Sequence, residues 1–150
     1  MKVSKTQLEV LCLMADGWEL GQTASGGNSS YWIQKGGLGR GGKVKKIGHG
    51  TGYALYKKGL IETASSKFRY PTSHYCLTEK GRNVVGMYIV SNLSLEFKVK
   101  NYGQFVAVTF TGEILTVCDT LKALNEKIAK KGLKENYYIA RIGYRTIAQI

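Results

Sequence analysis

The chain has 150 residues, 43% of them hydrophobic, and a formal net charge of +12. This length and apolar content suffice for one domain or two small ones with their own cores, and they exclude a disordered chain. No apolar run reaches the 18 residues of a membrane span, and Glu9 interrupts any apolar signal segment, so we expect a cytoplasmic protein without membrane contact.

Helical spacing of apolar residues marks the first predicted element. Ser4 and Gln7 have the form of a capping box, and the apolar residues that follow repeat at helical spacing until Asp16-Gly17. Residues 18–22 and the segment "YWIQK" then alternate as two strands around the turn-rich "TASGGNSS". The sequence therefore predicts a helix followed by a hairpin.

The glycine-rich segment 36–44, "GGLGRGGKV", overlaps two nucleotide-loop patterns, G-x-x-x-x-G-K-[ST] and G-x-G-x-x-G. Val44 stands where a P-loop needs a hydroxyl for magnesium, and no acidic residue lies between Glu19 and Glu62 to complete either motif. Nucleotide chemistry is therefore not expected. Two interpretations stay open: a flexible arm whose Arg40 and Lys43 meet nucleic-acid backbone, and a mobile connector.

A second helix and a second hairpin follow. Thr51 is the predicted N-cap of the helix, Gly59 is the residue that ends it, and the exposed side carries Tyr53, Tyr56, Lys57 and Lys58. The segments "LIETA" and "HYCLT" predict the strands of a hairpin with a basic tip, and "LTEKGRNVVGMYIV" predicts a further helix.

From residue 96 the pattern becomes β-β-α-β. The strands "QFVAVTF" and "EILTVC" alternate around Thr111-Gly112, a helix is predicted from about Thr120 to Lys131 before Gly132, and "YYIARI" predicts another strand. The predicted fold class is α+β, with a domain boundary near residue 95.

The positive charge is concentrated in one stretch. No acidic residue occurs from Leu20 to Ile61, while seven basic residues do: Lys35, Arg40, Lys43, Lys45, Lys46, Lys57 and Lys58. An ordinary solvated surface intersperses both signs, so this stretch predicts a surface that attracts a polyanion, most often nucleic acid.

Cysteine and histidine usage argues against disulfides, metals and catalysis. Cys12, Cys76 and Cys118 are odd in number and far apart, as expected of reduced thiols. His74-x-Cys76 lacks the two further ligands of a zinc site, so no metal or cofactor is expected. No serine, cysteine or acidic residue has a recognisable catalytic partner, and we expect a protein that is not an enzyme.

Two motifs point to a known family. Residues 55–62, "LYKKGLIE", are followed at residues 75–82 by the pattern Tyr-x-Leu-Thr-x-x-Gly-Arg. The pair resembles the segments that close the recognition helix, open the wing and return from it in winged-helix DNA-binding proteins of the MarR and PadR kinds and in small phage proteins of that sort. The resemblance covers residues 4 to 90, although the helix that usually precedes the recognition helix is weakly marked.

The resemblance implies an N-terminal winged helix-turn-helix over residues 1–95. The module over residues 96–150 is only faintly similar to small β-β-α-β modules found beside other domains. We expect it to serve dimerisation or partner binding, since winged-helix regulators usually read two half-sites as dimers.

The implied function is sequence-preferring binding of double-stranded DNA by a transcriptional regulator of phage or microbial origin. The residues expected to contact bases or phosphates are Lys43, Lys45, Lys46, His49, Tyr53, Tyr56, Lys57, Lys67, Arg69 and Tyr70. Lys67, Arg69 and Tyr70 belong to the wing in this interpretation, and the lysines from 43 to 46 supply phosphate contacts.

Two other interpretations stay open. The glycines of "GHGTG" lower helix stability at the entry to the recognition helix, which favours a module that binds an acidic protein surface and no longer reads DNA. Interleaved tyrosines and lysines from 53 to 58 permit RNA or single-strand binding, with bases stacked on the tyrosines.

Overall fold

The computed structural model describes residues 2–25, 28–64, 72–132 and 137–143. These residues form five helices and two antiparallel sheets, which confirms the predicted α+β class. The chain divides into two compact units, an N-terminal unit of residues 1–82 and a C-terminal unit of residues 83–150.

The N-terminal unit is a five-stranded antiparallel sheet with strand order β3-β2-β1-β5-β4 and two helices on one face. In chain order its elements are α1 (Lys5–Ala15), β1 (Glu19–Ser25), β2 (Asn28–Gln34), β3 (Val44–Ile47), α2 (His49–Lys57), β4 (Ile61–Thr63) and β5 (Thr72–Leu77). Both predicted hairpins are present, as β1–β2 and β4–β5.

Local signals explain where α1 begins. Ser4 Oγ accepts a hydrogen bond from the Gln7 amide at 3.2 Å, and Gln7 Oε1 accepts one from the Ser4 amide at 3.2 Å. The predicted capping box is therefore confirmed, and it satisfies two amides that a helix start leaves without intrahelical partners.

The start of α2 differs from the prediction. The N-cap is Gly48, whose carbonyl accepts a hydrogen bond from the Gly52 amide at 3.1 Å, so Thr51 lies in the first turn and does not cap the helix. The predicted end is confirmed, because Gly59 has a φ of +71°, the left-handed conformation that glycine adopts without strain after a helix.

The element directly before α2 is strand β3, not a helix. Val44, Lys45 and Lys46 are exposed and Ile47 is buried, as expected of an edge strand paired on one side with β2. Among the described residues, three strands separate α1 from α2, although the two helices pack on each other. Between α1 and α2 the described residues thus contain strands and no helix, in the place where the sequence marked the usual second helix only weakly.

The C-terminal unit contains a three-stranded antiparallel sheet with strand order β7-β6-β8. Its elements are the second part of α3 (Glu79–Ser91), then α4 (Leu95–Lys100), β6 (Phe105–Thr109), β7 (Ile114–Cys118), α5 (Leu121–Lys130) and β8 (Tyr137–Arg141). The predicted β-β-α-β order is confirmed, and α4 is an additional helix that the sequence patterns did not indicate.

The two faces of this second sheet have separate cores. Leu124 and Ile128 of α5 pack with Ala107 and Cys118 on one face. On the other face, Val90 of α3 packs with Val106, Val108 and Ile142, and with partly buried side chains that include Phe97 of α4.

The division between the units falls between Arg82 and Asn83, inside α3, whereas the sequence indicated residue 95. The reason is the packing of the helix after that point. A Cβ at Gly86 would collide with the ring of Tyr138, so the two lie in direct contact, and Val90 is fully buried in the core of the second sheet. The last two turns of α3 therefore belong to the C-terminal unit.

Lys98 of α4 is fully buried in this unit. Its Nζ donates a hydrogen bond to the carbonyl of Ser91, the last residue of α3, at 2.7 Å. A cation at a helix C-terminus is stabilised by the helix dipole and by carbonyls that have no intrahelical donor, which accounts for a lysine in this position.

Candidate nucleic-acid interface

Helix α2 packs on the first sheet through a direct contact between a glycine of the helix and a tyrosine of the sheet. A Cβ at Gly52 would lie 2.6 to 2.7 Å from three atoms of the Tyr31 ring on β2, and Tyr31 itself is 4% exposed. Only a residue without a side chain fits this distance. Gly52 therefore determines how closely α2 approaches the sheet.

A hydrogen-bonded network lies at this contact. The Tyr75 hydroxyl donates to Gln22 Oε1 at 2.6 Å, and the Tyr31 and Tyr75 side chains are hydrogen-bonded to each other. Burial, and then the proximity and hydrogen bond of Tyr75, raise the pKa of Tyr31 to about 12. Burial also raises the pKa of Tyr75. The network joins β2, β5 and β1 beneath α2.

The outer face of α2 carries a column of three side chains. Gly52 and Leu55 are buried, and at about 100° per residue the opposite side of the helix contains Gly50, Tyr53 and Lys57. The His49 ring stacks on the Tyr53 ring with centroids 5.9 Å apart and an interplanar angle of 14°, and Lys57 Nζ lies 5.9 Å from the Tyr53 centroid.

Tyr53 and Tyr56 are about half exposed, at 47% and 50%, as the helical pattern predicts. Tyr56 also contacts Tyr75 edge to face, with centroids 6.1 Å apart. Lys58, in contrast, was expected on the exposed side of α2. Its Nζ instead donates to the Lys2 carbonyl and to Gln7 Oε1, both at 2.7 Å, so it attaches α2 to the start of α1.

The register of β3 separates the lysines of "KVKK". Lys45 is paired with Ile33, which lies on the same face of the sheet as Tyr31 and α2, and Lys46 is paired with Trp32 on the opposite face. Directly paired residues share a face and consecutive residues alternate. Lys43, Lys45 and Lys46 were expected to act together, but Lys46 lies on the face opposite α2.

The glycine-rich segment 35–43 connects β2 to β3 and is packed against the face opposite α2. The Gln34 side chain donates from Nε2 to the Gly42 carbonyl at 3.0 Å and accepts from the Gly39 amide at 2.8 Å. A Cβ at Gly21 of β1 would lie 2.6 Å from Leu38 Cδ1 and 3.1 Å from the Trp32 ring. The segment is thus a hydrogen-bonded connector that lies on the sheet, and not a projecting arm.

Glycine is required in this connector for a steric reason. Gly42 lies so close to the Lys35 carbonyl that a Cβ there would overlap it. The Lys35 amide also donates to the Lys43 carbonyl at 2.9 Å, which extends the β2–β3 pairing to the base of the connector. The glycines in the segment that resembles a nucleotide-binding loop thus allow the chain to turn tightly from β2 into β3.

Some predicted contact residues lie outside the described part of the chain. Lys67, Arg69 and Tyr70 belong to the segment between β4 and β5 that the structure does not describe, and their role stays a prediction. His74 Nδ1 lies 2.7 Å from Glu19 Oε1, consistent with a structural role for this histidine.

The described residues contain neither a metal site nor a membrane span. Within residues 2–25, 28–64, 72–132 and 137–143, no group of three or more His, Cys, Asp or Glu side chains is arranged to hold a metal ion. In the same ranges, none of the helices has the length and apolar character that crossing a bilayer requires.

The charge is unequally divided between the units. Residues 1–82 contain 13 Lys and Arg against five Asp and Glu, and residues 83–150 contain nine against five. The N-terminal unit, which carries α2, therefore holds two thirds of the net positive charge. A field of this kind attracts polyanions to that unit.

Comparisons with protein-family models, with curated proteins and with solved structures give no match for this chain.

Sequence reasoning missed three residues that build this surface. Tyr31, Gly52 and Gln34 were assigned no role, and their contacts join segments that are far apart in the sequence. One signal was available: Tyr31 and Ile33 alternate in "YWIQ", so Tyr31 was predictable as an inward-facing residue. Neither the partner of Gly52 nor the bonds of Gln34 follow from local patterns.

Proposed function

We propose that the chain binds double-stranded DNA through the outer face of α2 and that it acts as a transcriptional regulator. The observation that carries this proposal is the exposed column of His49, Tyr53 and Lys57 on a helix held against the sheet by Gly52. The column lies in the stretch from Leu20 to Ile61, which contains no acidic residue to repel phosphate.

The dimensions of α2 suit a major groove. A helix of nine residues is about 13 Å long and, with side chains, about 10 to 12 Å wide, and the major groove of B-DNA is about 12 Å wide. Gly50 lies on the outer face with no heavy atom within 4 Å of its Cβ position, so the helix backbone is accessible there to a base edge or a phosphate.

The outer side chains have complementary roles in this proposal. Tyr53 and Tyr56 offer hydroxyl groups for base edges and apolar ring surface for thymine methyl groups. Lys57 on the outer face and Lys45 on the adjacent strand supply phosphate contacts, which determine affinity and its salt dependence.

The order α2, β4, β5 supports the winged-helix interpretation. β4 and β5 form an antiparallel hairpin directly after α2, and β1 pairs with β5. In this interpretation α2 is the recognition helix and the β4–β5 hairpin is the wing. A β2–β3 hairpin then replaces the helix that usually precedes a recognition helix.

The test is a fluorescence-anisotropy titration of labelled random duplex DNA, single-stranded DNA and duplex RNA over a range of salt concentrations. We expect duplex DNA to bind most tightly, with log affinity falling against log salt by about 0.9 per phosphate contact. Lys57→Glu should weaken duplex binding at least tenfold with an unchanged circular dichroism spectrum, because it reverses the charge of the lysine that lies over the Tyr53 ring on the outer face of α2.

The matched control is Lys122→Glu, an equal charge change at an exposed position of α5 in the C-terminal unit. It should reduce affinity much less than Lys57→Glu. Equal losses from both variants would mean that net charge alone drives binding and would refute the assignment to α2. No binding at low salt would refute the DNA role and favour an acidic protein partner.

A second candidate function has a specific observation in its favour. The half-exposed rings of Tyr53 and Tyr56 are surfaces on which unpaired bases can stack, and base–aromatic stacking contributes about 1 to 3 kcal/mol per base. A preference for single strands in the same titration, lost in Tyr53→Leu, would replace the duplex proposal with single-strand binding.

A further inference from the structure

We propose that the β2–β3 hairpin binds one strand of the DNA backbone beside the groove that takes α2, and that it thereby orients this helix. The inference rests on the proposed DNA binding by α2. The residues that carry it are three exposed lysines, Lys35, Lys43 and Lys45, called here the lysine cluster. Lys46 is also exposed but lies on the other face of the sheet and is not part of the cluster.

Strand register places the lysine cluster on the α2 face of the sheet. Lys45 is paired with Ile33, which lies on the same face as Tyr31 and α2. The Lys35 amide donates to the Lys43 carbonyl at 2.9 Å, which extends the β2–β3 pairing by one residue on each strand. Because side chains alternate along a strand and paired residues share a face, Lys43 and Lys35 lie on the same face as Lys45.

The strand carboxylates lie on the other face. The described strands of this sheet contain two acidic residues, Glu19 and Glu62. Leu20 and Tyr75 are paired with each other on the α2 face, so the residues next to them, Glu19 and Cys76, lie on the opposite face. Glu62 is paired with Cys76 and lies there as well. The sheet thus separates these carboxylates from the lysine cluster, and an anion that approaches the cluster is not repelled by them.

The spacing within the lysine cluster favours a bound anion. Directly paired residues joined by hydrogen bonds have Cα atoms about 5.5 Å apart, and alternate residues of one strand are about 7 Å apart. Lys35 and Lys43 are such a pair, and Lys43 and Lys45 are alternate residues. Like charges directly opposite each other destabilise a sheet, and phosphate oxygens between the ammonium groups relieve this repulsion.

The dimensions of the helix and the groove bring DNA phosphates close to the cluster. A helix with side chains is about 10 to 12 Å wide, and the major groove is about 8.5 Å deep. When α2 fills the groove, the phosphates at its rim therefore lie only about 2 to 4 Å from the layer on which α2 packs, within reach of lysine side chains on that layer. β3 ends at Ile47 and α2 begins at His49, so the strand that carries Lys45 leads directly into α2.

The hairpin takes a position that a helix occupies in other proteins. In a helix-turn-helix, the helix before the recognition helix crosses the DNA backbone. Here the lysine cluster makes the backbone contact from a pair of strands. Phosphate contacts fix orientation and affinity but carry no sequence information, so base reading remains with the side chains of α2.

A fluorescence-anisotropy titration of duplex DNA over a salt series tests the inference. The cluster variant is Lys35→Gln with Lys43→Gln and Lys45→Gln. Two single variants, Lys45→Gln and Lys46→Gln, give the closest comparison, because these neighbouring lysines have the same charge and lie on opposite faces of the sheet. The control for net charge changes three exposed lysines of α5: Lys122→Gln, Lys127→Gln and Lys130→Gln.

The cluster variant should bind duplex DNA at least tenfold more weakly than the wild type. Its slope of log affinity against log salt should be smaller by up to about 2.7, which is about 0.9 for each of three phosphate contacts. Lys45→Gln should weaken binding severalfold, whereas Lys46→Gln and the α5 control should lose much less. Urea unfolding of the free cluster variant, followed by tryptophan fluorescence, should show an unchanged or higher midpoint, because like charges have been removed.

Four results would overturn the inference. Equal losses from Lys45→Gln and Lys46→Gln, or from the cluster variant and the α5 control, would mean that net charge alone determines the affinity. An unchanged salt slope in the cluster variant would mean that these lysines do not contact phosphate. A lower urea midpoint would mean that they stabilise the free protein, contrary to the argument from their spacing.

Failure of the proposed function gives different results. A wild type that binds no duplex would refute the DNA role itself. A Lys57→Glu variant that binds duplex DNA as tightly as the wild type, while the cluster variant loses binding, would refute the role of α2 and leave the hairpin as a phosphate-binding element without a recognition helix to orient.

Discussion

Two glycine-to-alanine changes in α2 should have opposite effects on stability. A Cβ at position 52 would lie 2.6 to 2.7 Å from atoms of the Tyr31 ring, about 1 Å short of an ordinary carbon contact, and the ring is buried on a central part of the sheet. Overpacking of this kind costs about 1 to 3 kcal/mol, and the better helix propensity of alanine offsets up to about 1 kcal/mol. We expect Gly52→Ala to lower the free energy of unfolding, by up to about 2 kcal/mol once the gain in helix propensity is subtracted.

Gly50→Ala is the matched control, because nothing lies within 4 Å of its Cβ position. Only the propensity term applies there, so this variant should be up to about 1 kcal/mol more stable than the wild type. Urea unfolding followed by tryptophan fluorescence measures the right unit, since both tryptophans, Trp18 and Trp32, lie in the N-terminal unit. If both variants changed the free energy of unfolding equally and in the same direction, the close packing of α2 against Tyr31 would be refuted.

Three further predictions concern buried groups. Lys98→Ala should destabilise the C-terminal unit by about 2 to 4 kcal/mol, through loss of its buried stem and of the bond to the Ser91 carbonyl, measured by urea unfolding followed by circular dichroism with an unchanged tryptophan transition. Gly86→Ala should lower the same transition, because the new methyl group meets the Tyr138 ring; an unchanged midpoint would contradict that contact. Unfolded tyrosine ionises near pH 10 and folded Tyr31 near pH 12, so wild-type stability should fall between these values, and Tyr31→Phe should fall less.

Much of the fold follows from local patterns. The Ser4 capping box, the alternation in "YWIQ", the turn at Thr111-Gly112 and the glycine after α5 each predicted a boundary or a strand that the structure confirms. These signals work because each depends on residues within a few positions of one another.

The elements that were missed depend on distant contacts. Helix α4 is only six residues long and buries Lys98, whose partner is a carbonyl seven residues earlier, so no apolar periodicity marks it. The segment before α2 pairs with β2 to become a strand because Ile47 is buried opposite Tyr31, a contact that the lysine-rich sequence does not indicate. The pairing of β3 with β2 also places Lys45 and Lys46 on opposite faces of the sheet. The number of basic residues in the sequence does not show on which face each one lies.

The sequence was sufficient to select the residues of the candidate site, but it did not show how the helix that carries them packs on the sheet. His49, Tyr53 and Lys57 were selected from their place near one helix, and the four-residue spacing puts them in one column. The packing of that helix on the sheet depends on the contact between Gly52 and Tyr31, which are twenty-one residues apart in the chain.

The course of α3 determines how this chain can be divided for separate study. A fragment that begins at residue 96 would omit Val90 and leave Val106 and Val108 facing water, whereas a fragment that begins at residue 79 retains the whole helix and its buried residues. The N-terminal unit also depends on the beginning of this helix, because the Gly81 amide bonds to Thr78 Oγ1, which itself donates to the Gly59 carbonyl after α2. Each half therefore requires its own copy of α3, and expression of overlapping fragments preserves both cores where a single cut would damage one.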